Sequence, residues 1–503
     1  MKSPAIRRFR CACPSRRSER GITMVLVALA MVAIIAMAAL SIDVVTLYLA
    51  REEAQKSADD AALAAARVIS ISGITGTANP DTDSSYWQQI CGGSSSAATQ
   101  TAQAVATQNA VGSSVPATVN VTYSAGGSTN TDCHTLPAAF GVNPMVTVQV
   151  QQTGLPTFFS RIWGRSGNTV SATATAEAFN PSNSATGGNV SGRAITPVQP
   201  SCVKPWVVPN LDPLNPGRSG GTYCYPPGGR GAPGACQPFV RTADGSIQNP
   251  GISLDGTGNN GVIGENFWLV ADCHHSGSSC NLRAPPQPNY VQNGSPYVEN
   301  VPNLLYVPGQ VGTPVTAIPP CTLGDPYEEA IEGCDSPANY SCGVQNSSSS
   351  VADLRRNPAR SGATSNGVQC LIQQLNLNDL NNSSGQDYLA GNGFQLNSYP
   401  YQITAGTHSA LGSKAGLSGI GVSSSPSIVS LPIYDNTAKT ITSNTTTDVT
   451  FVGFLQVFIN AADQNGNVNV TVLNVAGCGK GNPLPNNSVT GTSPVPIRLV
   501  TPP

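Results

Sequence analysis

The chain has 503 residues, enough for two or three domains with a substantial core. Asp, Glu, Lys and Arg make up only 10% of it, while 51 Gly and 40 Pro favour short strands and turns over long solvated helices. The formal charge of -2 hides a basic head on a mildly acidic body, a distribution that argues against nucleic acid as a partner.

The head comes first. Lys2, Arg7, Arg8, Arg10, Arg16, Arg17 and Arg20 against Glu19 give residues 1–20 a net charge of +6. This arm runs directly into Gly21–Ile42, 22 residues without a charge. As a helix that stretch is about 33 Å long, enough to cross the hydrocarbon of a bilayer. The apolar region of a secretory signal is usually only about 7–15 residues. A retained transmembrane helix over 21–42 is therefore expected, with cleavage at Ala36-Met37-Ala38 or Ala38-Ala39-Leu40 as the alternative. Positive flanks stay cytoplasmic, and just beyond the span only Arg51 and Lys56 appear, beside Glu52 and Glu53. The expectation is one pass through the inner-membrane bilayer, with a cytoplasmic N-terminus and a periplasmic or cell-surface body.

No turn interrupts the chain after the apolar run. Leu47, Ala50, Ala54, Ala58, Ala61, Ala65 and Val68 recur at spacings of three and four, so one amphipathic helix continues to about residue 72, with Gly73 as the first stop. Asp43 reads as a marker of the membrane boundary, with a helix-helix role open to it. The alanine-lined face admits close approach of another element. That element is either the protein's own exported domain or a neighbouring subunit.

Beyond the helix, "TQTAQAVATQNAV" predicts a short helix, and Val119 and Val121 open a strand. Val146, Val148 and Val150 share one face of a strand, as do Val170, Ala172, Ala174, Ala176 and Ala178. Residues 73–179 thus read as an α+β module, the long helix lying on a small antiparallel sheet. Residues 180–200, beginning "NPSNSATGGNVSG", read as a linker. Residues 201–478 read as a turn-rich, disulfide-containing, mainly β region that closes with a hairpin, "FVGFLQVFIN" and "VNVTVLNV" about the turn "ADQNGN". An extended tail over 479–503 completes the chain.

Of the 14 cysteines, Cys11 and Cys13 lie on the basic arm and twelve lie beyond the span. An even number in an oxidising compartment favours disulfides. Local closure is expected for Cys273–Cys280 and for two among Cys321, Cys334 and Cys342. "CHHSGSSC" (Cys273, His274, His275, Cys280) has the donor types of a zinc site, but oxidised sulfur does not ligate zinc and the disulfide is preferred. "GRSGG" (Gly217–Gly221) matches a nucleophile elbow without the flanking strand and helix that the chemistry needs. "GTGNNG" (Gly256–Gly261) matches a dinucleotide fingerprint without its helix, and as a calcium loop it has Asn260 where Gly is required. With four histidines in all, at 134, 274, 275 and 408, no catalytic, cofactor-binding or metal residues are assigned and no enzyme activity is expected.

The order Arg20-Gly21, an apolar stretch, then "SIDVVTLYLAREEAQKSADDAALAAA" resembles the N-terminal module of Flp/Tad pilus-assembly proteins of the TadE/TadG-like group. "VTVQVQQTGLPTFFSRIWGRSGNTVSATATAEA" (146–178) is similar to the strand, short "PTFF" segment and second strand that come after that module in the group, and the last hairpin is more loosely similar. The resemblance implies a membrane-anchored, pilin-like or pilus-associated protein whose partners are other pilus-assembly subunits, met through the Ala-rich helix. Two features depart from it. Leu26 stands where substrates of the prepilin peptidase carry Glu, five residues after Gly21. The metal motif DxSxS of larger members is matched only by Asp244 and Ser246, with Gln248 at its last position. The function expected is structural or interactive, in a Tad-type pilus or surface apparatus. The alternatives are an anchored adhesin independent of any pilus, or an anchored hydrolase.

Overall fold

The computed structural model describes residues 19–72, 75–76, 84–157, 159, 167–183, 198–200, 203–214, 237–243, 245–249, 261–271, 303–309, 326–333, 340, 342, 359–377, 385–389, 403–414, 416–422, 424–437, 449–464, 466–478, 489–491 and 493–501. The N-terminal helix is one unbroken element, α1 (Glu19–Ile71), of 53 residues. At 1.5 Å per residue it is about 80 Å long. It ends where Ser72 turns back and gives both its N–H and its hydroxyl to the Ile69 carbonyl.

Helices α2 (Ser84–Cys91) and α3 (Ala97–Gln108) come next, then strands β1 (Thr118–Ala125), β2 (Ser128–Asn130), β3 (Met145–Leu155) and β4 (Asn168–Ala178). These strands pair antiparallel in the order β2-β1-β3-β4. The fifth strand arrives from the far end of the chain, where Ile497–Val500 pairs antiparallel with β4. Part of the segment whose composition reads as a tail therefore closes this sheet. Arg498 there pairs with Glu177 and lies 4.7 Å from the centre of the Phe179 ring.

Strand periodicity places one residue type under the helix. In register, Val121, Val148 and Ala174 form one cross-strand row, and Tyr123, Val146 and Ala176 the next, all of them buried. Against them α1 buries Ala50, Ala54, Ala58, Ala61, Ala62, Ala65 and Ala66. On its flank α3 contributes Ala98, Ala102 and Ala106, and the Ser57 hydroxyl donates to the Ala106 carbonyl at 3.2 Å. The alanine face is thus covered by the protein's own sheet and by α3. It is not free for a neighbouring subunit, and small side chains on both sides are what allow the close packing.

The second body starts with β5 (Val198–Pro200), β6 (Trp206–Pro209), β7 (Asn266–Ala271) and β8 (Asn303–Pro308). Helices α4 (Pro326–Glu332) and α5 (Ala359–Ile372) come next. The short strands β9 (Tyr388–Leu389), β10 (Ile403–Thr404) and β11 (Gly421–Val422) form a three-stranded sheet of their own. Then come β12 (Ile428–Tyr434), the hairpin β13 (Phe451–Ala462) and β14 (Val468–Gly477), β15 (Val489–Gly491), which pairs in parallel with β5, and the sheet-closing β16 (Ile497–Val500). Strands β12-β13-β14-β7-β8-β6 close into a barrel. Alternation sorts its side chains: Trp206, Val208, Leu304, Tyr306, Leu431 and Leu455 join the main core, while Val207, Val307 and Phe454 belong to a second cluster. The hairpin read from the sequence is the longest pair of this barrel.

The two bodies meet through buried hydrogen bonds. Asn474 Nδ2 donates to the Ser70 carbonyl and, at 3.1 Å, to Thr75 Oγ1. Asn180 Nδ2 donates to Thr75 Oγ1 and to the Val475 carbonyl, both at 3.1 Å, and the Gly477 N–H donates to Ser182 Oγ at 2.7 Å. Asn180 and Ser182 are buried, so the start of the linker-like segment is a joint rather than a free tether. Residues 184–197 lie outside the described residues.

Disulfides join Cys91 to Cys133 and Cys342 to Cys478, and Cys370 is disulfide-bonded as well. The pairing of Cys342 with Cys478 takes it out of the local closure expected for two among Cys321, Cys334 and Cys342; a Cys321–Cys334 pairing lies outside the described residues. Its backbone forms a bridge with Phe451 at the edge of the barrel, which leaves its Cα 5.3 Å from that of Cys478. Cys273, Cys280, Cys321 and Cys334 lie outside the described residues, as do Cys11 and Cys13.

Candidate membrane and assembly surface

α1 has two halves with opposite surroundings. From Ala50 onward its inner face is buried, whereas seventeen large apolar side chains from Ile22 to Leu49 are between 48% and 78% exposed. Its most apolar 18-residue window has a mean hydropathy of 2.8 and is 6% buried. Hydrating those side chains costs about 1 kcal/mol each at such exposures, on the order of 15–20 kcal/mol together. A whole domain is stable by only about 5–15 kcal/mol. The first half of α1 therefore needs an apolar cover that the described residues do not supply.

Asp43 sits near the transition. It is 4% exposed, and its carboxylate accepts the Phe159 N–H, with Oδ2 at 3.1 Å and Oδ1 at 3.4 Å. Phe159 belongs to the connection between β3 and β4, so this contact ties the lower end of the sheet to the helix. The role of Asp43 within the chain, helix to strand connection, is absent from its sequence context. Only the tertiary contact reveals it. Further along the helix, the Gly112 N–H donates to Glu53 Oε2 at 2.7 Å and adds a second tie.

Residues 21–68 match the Tad family model, Flp pilus-assembly TadE/G-like. The match covers the bare half of α1 and most of the half that packs on the sheet. No curated protein and no solved structure matches the chain. The Tad-like segment is thus the apolar rod together with the seam that holds the module to it.

Elsewhere the site candidates of the sequence separate. His134 has its N–H capped by Asp132 Oδ1 at 3.0 Å, and the His408 ring shares a 3.0 Å hydrogen bond with its neighbour Thr407. Gln248, at the last position of the incomplete DxSxS string, accepts from Arg241 Nε at 2.8 Å. His274, His275, Asp244, Gly217–Gly221 and residues 256–260 lie outside the described residues. Among the described residues no group of three His, Cys, Asp or Glu side chains is placed to hold a metal.

One buried charged cluster has no counterpart in the sequence patterns. Lys204 is 1% exposed and donates through Nζ to the Gly333 carbonyl at the end of α4. Burial lowers its pKa to about 7, against the opposing pull of Glu332. Glu332 is itself buried, with no hydrogen-bond partner among the described residues on either carboxylate oxygen. Burial, then Glu328 and Glu329, raise its pKa to about 7 despite Lys204. An unfolded Glu titrates near 4.5, so the folded state holds the extra proton between about pH 4.5 and 7. Its contribution to stability is full below that window and is lost as pH rises through it. Glu332→Gln keeps the neutral form at every pH. It is expected to raise the melting temperature by several degrees at pH 8 and to leave it unchanged at pH 4, as read by differential scanning calorimetry.

A cleft of about 1220 Å³ opens between the two bodies. Val68, Gln88, Gln100 and Val105 line it from the first body, and Ile403 and Leu411 from the second.

Proposed function

We propose that this protein is a membrane-anchored structural and interaction component of a Flp/Tad-type pilus assembly or surface apparatus. The observation that carries this reading is the coincidence of the Tad-like match with a helix that is bare and apolar in one half and locked into an α+β module in the other. Such a rod ties a folded body to a membrane at fixed distance and orientation. The basic arm orients the chain with its N-terminus in the cytoplasm and its body in the periplasm or on the cell surface. Disulfides in both bodies fit an oxidising compartment. Other pilus-assembly subunits then meet surfaces other than the alanine seam, which is already occupied. No catalytic step is assigned to it.

The pilus-independent adhesin reading is favoured by one feature, the cleft between the bodies, which is lined by both amide and aliphatic side chains. Sheared surface filaments and washed membranes distinguish the two readings, with the mass and N-terminal residue of the protein determined in each fraction. Full-length protein in membranes that copurifies with pilus subunits is the expected result. Full-length protein in membranes of cells lacking all pilus genes, with cell adhesion retained, would favour the adhesin. A chain beginning at Ile22 in the filaments would make it a processed minor pilin despite Leu26.

A further inference from the structure

The bare surface of α1 does not stop at Asp43. Val44, Val45, Tyr48 and Leu49 are 56%, 56%, 61% and 52% exposed. At 100° per residue they lie on the side of the helix opposite Asp43, Ala50 and Ala54, which face the sheet. Between Arg20 and Arg51 the only ionisable side chains are Asp43, which is turned inward onto the Phe159 N–H, and Tyr48. Tyr48 stands one turn before Glu52, so its ring continues the apolar surface close to the first exposed charges, Arg51, Glu52 and Glu53. That is the position tyrosine takes where lipid meets water. Ile22 to Leu49 measures about 42 Å along the helix, longer than the roughly 30 Å of hydrocarbon but matched to the 40–45 Å that includes both headgroup layers.

We propose that the module is seated in the outer headgroup layer of the bilayer, with Val44, Val45, Tyr48 and Leu49 covered by lipid and Asp43 held beneath that surface by the Phe159 N–H. The boundary with water on this face of α1 then runs at Tyr48–Arg51 rather than at Asp43. The occupant is lipid because the patch continues the span without a charged side chain on that face, the Ser41 hydroxyl being turned onto the Met37 carbonyl, and ends on an interfacial tyrosine. This inference rests on the reading of residues 21–42 as a membrane span.

The test uses the full chain with Cys11 and Cys13 replaced by serine, reconstituted into vesicles of phosphatidylethanolamine and phosphatidylglycerol. Single cysteines are introduced by Ile35→Cys, Val45→Cys, Leu49→Cys and Lys56→Cys, all at exposed positions. Labelling by a membrane-impermeant maleimide is monitored against time. The expected result is that V45C and L49C react about tenfold or more slowly than K56C, and that an environment-sensitive label placed at 45 or 49 is quenched by brominated lipid. V45C reacting as fast as K56C while I35C stays protected would overturn the proposal and leave the span intact. I35C reacting fast would overturn both. Slow labelling of V45C accompanied by a disulfide-linked dimer, with no quenching by brominated lipid, would assign the patch to a second copy of the chain and overturn the lipid contact.

Discussion

Replacing Cys342 and Cys478 together by serine is expected to lower the stability of the barrel by about 4–5 kcal/mol, the larger loss of the two cross-links with both ends among the described residues. The bond closes a loop of 136 residues. In the chain-entropy account a loop of that size restricts the unfolded chain by about 5 kcal/mol, against about 4 kcal/mol for the 42-residue loop of Cys91–Cys133. Its position adds to the effect. Cys342 and Cys478 sit in one cluster with Val203, Val207, Val307, Tyr340, Phe451 and Phe454, so the bond fixes an irregular segment against the ends of β13 and β14. Tyr340 packs edge-on against Phe451 there, with ring centres 5.5 Å apart. Urea unfolding monitored by far-UV circular dichroism should show the midpoint fall with a steeper slope, because the unfolded chain without the cross-link exposes more surface. The Cys91/Cys133 double serine variant should leave the barrel transition in place and loosen the cluster of Trp87, Tyr123 and Phe140 instead, because these rings lie around that bond. Equal effects of the two variants on the barrel would mean that the bodies unfold as one unit, through the Asn180 and Asn474 joint.

The range of each interaction decides whether the sequence discloses it. The helix of α1 and the strands β3 and β4 depend on local periodicity, and Val146, Val148, Val150 and the alternating alanines of β4 face inward as their spacing requires. The β13/β14 hairpin is likewise local, joined through a short turn. Closure of the first sheet by β16 brings Ile497 to Ala178, and no pattern within a four-residue strand announces so distant a partner. The same holds for Cys342 with Cys478. The alanine face shows the limit most clearly, because its spacing fixes that something packs closely there but not what. Lys204 is hidden for a related reason. A lone lysine reads as solvated until the fold buries it at the end of α4.

Ala61→Leu is expected to cost about 3 kcal/mol and to free the sheet from α1 without removing the anchor. Ala61 is fully buried between the helix and a sheet face made of alanine and valine, so three added carbons have no space to enter. The helix cannot move aside easily, since Asp43 and Glu53 tie it to the β3–β4 connection and to Gly112 below the wedge, and Ser70 joins it to the barrel above. Strain must then appear as a shift of β4, the strand lying beneath α1. On the proposed reading, membrane insertion rests on the apolar half of α1 and is expected to be unaffected. The variant should therefore fractionate with membranes as wild type does, yet lose protease resistance in residues 84–178 and release the module at lower urea. Substitution of the exposed Lys56 by alanine should change neither property by more than about 0.5 kcal/mol. If Ala61→Leu left the module as resistant as wild type, the alanine stripe would not be the seam that holds it, and the stripe would have to be available to a helix from another chain.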